Sequence, residues 1–190
     1  MGAHPPVKTR LTLAEFHDLL KQRGHDRFIE LIDGEVVEKM PNEEHGYLVM
    51  ELGFLLKTYF RQVGFGRVVT EVRIEIDEDG ISQSRLPDLM IYLDNQRPIQ
   101  TKAHLDTMPD IAVKIQSPSN SRSQLIEKSE YYLANGAKEA WIIYPQMKMI
   151  EVIDSNHFAA YEVGQFLESP NILPNFRLDL ATFFDYPREE

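Results

Sequence analysis

A chain of 190 residues, 43% hydrophobic and 26% charged, has the make-up of a soluble globular protein and the length for one well-buried core rather than two. Zero cysteines exclude disulfides, thiolate metal sites and cysteine nucleophiles, and no apolar run approaches the roughly 20 residues that span a bilayer. A formal net charge of −10 weighs against broad electrostatic attraction to polyanions, so any such contact needs a local basic patch. The expectation is a cytoplasmic protein with no membrane association, one domain over 1–190, and a flexible tail over 1–10.

In chain order, Thr12-Leu13-Ala14-Glu15 is a capping box, in which the threonine oxygen accepts from the backbone and Glu15 reaches back. It opens a helix expected to end near Gly24. Phe28 to Ile32 and Glu35 to Val37 and Glu38 flank Asp33-Gly34, which predicts a hairpin with positive φ angles at the turn. Asn42 caps a longer helix, with Glu43 and Glu44 in its first turn. Leu48, Leu52, Leu55, Leu56, Tyr59 and Val63 recur at helical spacing, and Gly64 supplies the stop.

The period then changes. Val68, Val69, Thr70, Val72, Ile74 and Ile76 predict β structure over 66–77, followed by a turn at Asp79-Gly80. Residues 86–93 and 111–116 read as short apolar strands. A helix is expected from about Ser123 to Asn135, closed by Gly136, then a buried strand over 140–144 ended by Pro145. Residues 149–153 and 158–163 form an expected antiparallel edge hairpin turning at Asn156, and the tail is expected to be irregular with a short helix over 178–184. The order predicts a mixed α/β fold with helices packed on a mixed sheet.

Alternation along 111–116 sets Ile111, Val113 and Ile115 on one face and Ala112, Lys114 and Gln116 on the other. A lysine inside so apolar a strand must snorkel, pair with a carboxylate or line a cleft. Asp88, at the start of another apolar strand, is the candidate partner.

These segments together resemble the Uma-two type restriction endonuclease family, within the PD-(D/E)XK superfamily. The resemblance runs from Leu11 to about Asp185. It rests on 28–35 (Phe-Ile-Glu-Leu-Ile-Asp-Gly-Glu), His45, Arg85-Leu86-Pro87-Asp88, and residues 109–119. Glu127-Lys128, Tyr131-Tyr132 and residues 136–143 continue it. No single piece is decisive; the order of the pieces is what is specific.

The resemblance implies a restriction-endonuclease-like core that hydrolyses phosphodiester bonds in DNA, using Mg²⁺ or Mn²⁺ held by two carboxylates. Asp88 matches the metal-binding aspartate. Lys114 stands where the family carries glutamate, Gln116 where the superfamily's lysine usually lies, and Lys128 matches a lysine relocated to the following helix. His45 and Glu35 complete the candidate site. A homodimer through edge strands near Met149 or Phe158 is also implied.

Exchanging a carboxylate for an ammonium removes one attraction for the metal and adds one repulsion, each on the order of 4 kcal/mol at 4 Å and an effective dielectric near 20. Metal binding is therefore weakened or lost unless Glu35, Glu71 or Glu75 substitutes. Alternatively Lys114 pairs with Asp88 and fills the metal's place as a fixed cation. Three readings stay open: a metal-dependent endonuclease with a rearranged site, an impaired nuclease kept as a nucleic-acid- or protein-binding module, and an unrelated α/β protein with these residues scattered. His4, His25, His104 and His157 show no ligand spacing, Glu30 reads as a hairpin surface charge, and Trp141 with Tyr131 and Tyr132 reads as packing.

Overall fold

The computed structural model describes residues 10–24, 28–78, 81–118 and 120–188. Residues 1–9 of the expected tail over 1–10, the Asp79-Gly80 turn, and His4 and His25 lie outside them. The elements are α1 (Leu13–Gln22), β1 (Ile29–Ile32), β2 (Glu35–Glu38), α2 (Glu43–Val63), β3 (Arg67–Thr70), β4 (Arg73–Glu78), β5 (Ile81–Arg85), β6 (Leu89–Tyr92) and β7 (His104–Leu105). They continue with β8 (Ile111–Ile115), α3 (Arg122–Ala134), β9 (Glu139–Tyr144), β10 (Met149–Ile153), β11 (Phe158–Glu162), β12 (Phe166–Ser169), β13 (Leu173–Asp179) and α4 (Leu180–Phe183).

Local chemistry accounts for the boundaries. Thr12 and Glu15 form the capping box at α1, and Asn42 Oδ1 accepts the His45 N–H at 2.9 Å to start α2. Asp33 and Gly34 both take positive φ, 50° and 78°, as a tight hairpin turn requires. Ser121 caps α3 with Gln124 in a second capping box. Glu71, at φ 54°, breaks the β run expected over 66–77 into β3 and β4.

Two sheets organise the molecule. The first has the order β2-β1-β5-β4-β7 and the second β11-β10-β9-β8-β6-β3; β12 and β13 pair separately. Within the second sheet only β8 and β9 run parallel, because α3 carries the chain back between them. The result is a mixed α/β fold whose mixed sheets are flanked by helices, with the largest core between α2, the second sheet and the β12–β13 region. Ile111, Val113 and Ile115 all enter that core, as their alternation predicts.

The tail corrects the sequence reading. Residues 166–179 form two paired strands, and only 180–183 is helical. Pro174 is tolerated because the register shifts between Glu168 and Ser169. Met149 also belongs to an interior strand, so of the two expected edges only β11 is one.

Gly66 shows how tightly the turn after α2 is packed. At φ 78°, a Cβ there would lie 2.5 Å from the Phe60 ring, whereas Gly64, at φ 77°, has open space around it. Gly64→Ala should cost about 1–2 kcal/mol for the left-handed backbone alone. Gly66→Ala should cost a further ~1–3 kcal/mol for the overlap. Urea unfolding of the two variants checks this; equal losses would mean that Phe60 swings aside freely.

Candidate functional site

The chain passes from the first sheet to the second through Leu86-Pro87-Asp88, between the end of β5 and the start of β6. Asp88 is fully buried there and is clamped to β8: its N–H donates to Val113 O at 2.9 Å, and its Oδ2 accepts the Ile115 N–H at 2.7 Å. Thr70 Oγ1 donates to its carbonyl at 2.8 Å. The carboxylate is thus aimed by backbone rather than by its own rotamer preference.

Cations crowd its other oxygen. Lys114 Nζ lies 3.3 Å from Asp88 Oδ1 and donates to Leu86 O at 3.0 Å. Lys39, just past the hairpin, bonds the same oxygen. His45, in the first turn of α2, brings Nε2 to 3.1 Å of it, but off the axis of a hydrogen bond.

A second carboxylate joins them. Glu30 of β1 accepts the Leu86 N–H at 2.8 Å through one oxygen and Lys128 Nζ at 2.5 Å through the other. Arg85 lies buried alongside, its guanidinium 4.4 Å from the centre of the Tyr131 ring and its Nη1 without a hydrogen-bond partner among the described residues.

Burial alone would push both acids up. Around Asp88, Lys114, His45 and Lys39 more than offset it and hold its pKa well below the usual range. For Glu30, Lys114 and Lys128 together with the Lys128 and Leu86 hydrogen bonds bring the value down to about 2. The lysines divide. Lys114 resists burial because it feels both carboxylates, and its pKa rises. Lys39 and Lys128 are pulled down by burial and by the Lys114 charge, even though each holds an acid. Glu30 is held down by the ammonium groups around it, while Lys128 is lowered by burial and by the nearby Lys114 charge.

This donor set does not fit a magnesium-like ion. Such an ion needs oxygen ligands in a near-octahedral shell. Every oxygen of Asp88 and Glu30 is already met by an N–H or ammonium group.

Of the residues singled out in the sequence, Asp88, Lys114, His45 and Lys128 converge, the last through Glu30 rather than Asp88. Gln116 is half-buried, and its amide donates to Asn120 O at 3.0 Å, turned toward a smaller cavity of about 260 Å³ that it lines with Ser117 and Pro145. Glu35 lies exposed on β2, opposite Ile32. Among the acids considered as substitutes, Glu71 is exposed at the break between β3 and β4, and Glu75 is engaged by His17.

Two members of the cluster escaped the sequence reading. Glu30 is buried, not a surface charge: β1 has neighbours on both sides, β2 and β5, and its second face is covered. Lys39 follows the last strand residue of the hairpin and carries no local signal.

The family model "Uma2: Putative restriction endonuclease" matches residues 13–181, and the chain belongs to that family. A crystal structure from Anabaena variabilis ATCC 29413, described as a putative nuclease belonging to DUF820, is similar with a TM-score of 0.78. It is 20% identical over 92% of this chain and 97% of that one. No curated protein matches the chain. Among the described residues no helix is long and apolar enough to cross a membrane.

The depressed Glu30 makes stability acid-sensitive. Its ionised form stabilises the fold fully above the unfolded value of 4.5, and that contribution is lost as pH falls toward about 2. It amounts to on the order of 3 kcal/mol. Asp88 acts in the same direction. Urea unfolding between pH 7 and pH 2.5 should show this loss. Glu30→Gln should be less stable than the natural protein at pH 7, by about 3–5 kcal/mol, with a shallower acid dependence. An unchanged pH slope would show that Glu30 is not held ionised by its neighbours.

Proposed function

We propose that this family member engages the phosphates of nucleic acid through its nuclease fold, and that its Asp88 centre does not carry out efficient metal-dependent hydrolysis. The observation behind this reading is the pair of ammonium groups, Lys114 and Lys39, on the Asp88 oxygen where a metal would have to bind. By the resemblance in sequence, position 114 is the place of a glutamate, so one substitution both removes a ligand and supplies a permanent cation.

An ammonium is a poor replacement in chemistry though a fair one in charge. It stabilises an anion nearby by hydrogen bonding, but it does not lower the pKa of a bound water, as a hydrolytic metal does. Four cationic side chains, Lys39, Lys114, Lys128 and Arg85, are buried with two carboxylates, which leaves a positive surplus inside the fold that a bound metal would increase. Leu86, held by Lys114 and Glu30, also lines a cavity of about 720 Å³ with Lys21, Arg73 and Lys102. Glu71 and Glu75 share that wall, so the cations outnumber the acids there by one, three against two, and this local positive balance supports the reading.

The test compares plasmid nicking in Mn²⁺ by the natural protein, Lys114→Glu and Lys114→Glu with Asp88→Ala, each checked for folding by circular dichroism. The expected result is nicking by Lys114→Glu alone. Asp88-dependent nicking by the natural protein would overturn the silent-centre reading. Duplex binding should weaken steeply with salt, and Lys21→Ala with Lys102→Ala should reduce the slope of log K against log salt by about 1 for each phosphate no longer neutralised. No salt-sensitive binding in any form would overturn the nucleic-acid reading.

A further inference from the structure

His17, Glu75 and His104 meet although 58 residues separate the first two and 29 the last two, which is why no ligand spacing is legible in the sequence. The backbone explains the meeting. On β4, Arg73 and Glu75 point to one face and Ile74 to the other, where it packs with Met90, Tyr92 and Leu105. The first face looks toward α1: Arg73 lies 5.4 Å from the centre of the Phe16 ring. His17, the residue after buried Phe16, reaches Glu75 from that helix. β7 runs parallel to β4 with His104 opposite Arg73, so His104 comes to the same side.

The geometry is close. His17 Nε2 lies 2.8 Å from Glu75 Oε2, and His104 Nδ1 lies 3.2 Å from the same oxygen. One ligand atom from each of the three residues falls within 4.8 Å of the others. The two rings stack, 5.6 Å apart at 19°. Ser84 Oγ donates to Glu75 Oε1 at 3.1 Å, fixing the carboxylate from behind. Glu75 is buried, its side chain 5% exposed, while the imidazoles at 37% and 38% remain reachable from the cavity all three line.

We infer that His17, Glu75 and His104 form a binding site for one zinc-class divalent ion, with its remaining coordination position open to the cavity. Two imidazole nitrogens and one carboxylate are a donor set zinc takes where it keeps an open position. Bonds of about 2.0–2.1 Å set tetrahedral ligand atoms roughly 3.4 Å apart, so the trio needs only small shifts to close on an ion. A lone pair on an imidazole nitrogen repels a carboxylate unless a proton or a cation lies between them, and here two rings address one oxygen. The imidazoles favour zinc, cobalt or nickel over magnesium. Ser84 has the outer-shell role of holding a ligating carboxylate. On the same cavity wall, Lys21, Arg73 and Lys102 oppose the ion's charge and favour an anionic group on its open position, while Glu71 tempers both effects.

The inference does not rest on the Asp88 reading, and its readout is bound metal rather than cut DNA, so the two can fail separately. The full chain, stripped with a chelator and dialysed, would be titrated with Zn²⁺ against a chromophoric competitor. One ion per chain is expected, with affinity reduced about 100-fold or more in Glu75→Gln and in His17→Ala with His104→Ala. Ser84→Ala should weaken it about tenfold with unchanged stoichiometry. Mg²⁺ at the same concentration should not compete. Equal zinc binding by the natural protein and the double histidine variant would overturn the site, since the remaining histidines would then account for it. No binding by the natural protein would overturn it as well.

Discussion

A carboxylate with no access to water must be neutralised by its neighbours, and Asp88 imposes that demand at the place where the chain crosses from one sheet to the other. Nearly every element around it answers. β8 contributes the Ile115 N–H and Lys114, the hairpin contributes Lys39, α2 contributes His45, and β3 binds the Asp88 carbonyl through Thr70. Glu30 and Lys128 extend the network to β1 and α3 through the Leu86 N–H. The geometry of the junction is therefore set by charge satisfaction as much as by apolar packing, and an unpaired member would leave a buried charge at a cost of several kcal/mol.

The same network determines what chemistry the centre has available. A bare Asp88 and a second carboxylate facing each other would attract a divalent ion. Here the carboxylates face ammonium groups, and each ion pair lowers the acids' pKa without creating a Lewis acid. Lys114 is thus held as an ion-pair partner of Asp88. Family membership and fold do not depend on that pairing, because the core of Ile111, Val113, Ile115, Trp141 and Ile143 does not involve the polar face of β8.

What could be read from the sequence depended on range. The capping box at Thr12, the Asp33-Gly34 turn and the helical period of α2 are local, and they appear where the pattern places them. The alternation that isolates Lys114 on the polar face is local as well. β5, whose Ser82, Gln83 and Ser84 are buried polar residues, shows no apolar alternation, since its side chains serve hydrogen bonds to Asp33 and Glu75. β12 and β13 interleave exposed and buried positions with a proline and a shifted register, which blurs the period. Glu30, Lys39 and the His17–Glu75–His104 group are long-range facts of topology. Each of these residues looks ordinary within its own segment and acquires its surroundings only when strands far apart in sequence become neighbours.

The three lysines are treated unequally inside the cluster. Lys114 occupies the position between both carboxylates and takes most of the available attraction, so its ammonium is more firmly charged than a free lysine. Lys39 and Lys128 are left with one acid each, the repulsion of Lys114 and the cost of burial, and both are less firmly charged than in water. Two carboxylates cannot saturate three ammoniums and the Arg85 guanidinium. The surplus is held inside the fold, since all four cations are buried. A divalent cation would add positive charge to that surplus. Charge balance and ligand geometry thus point the same way: as it stands, the centre disfavours a divalent metal.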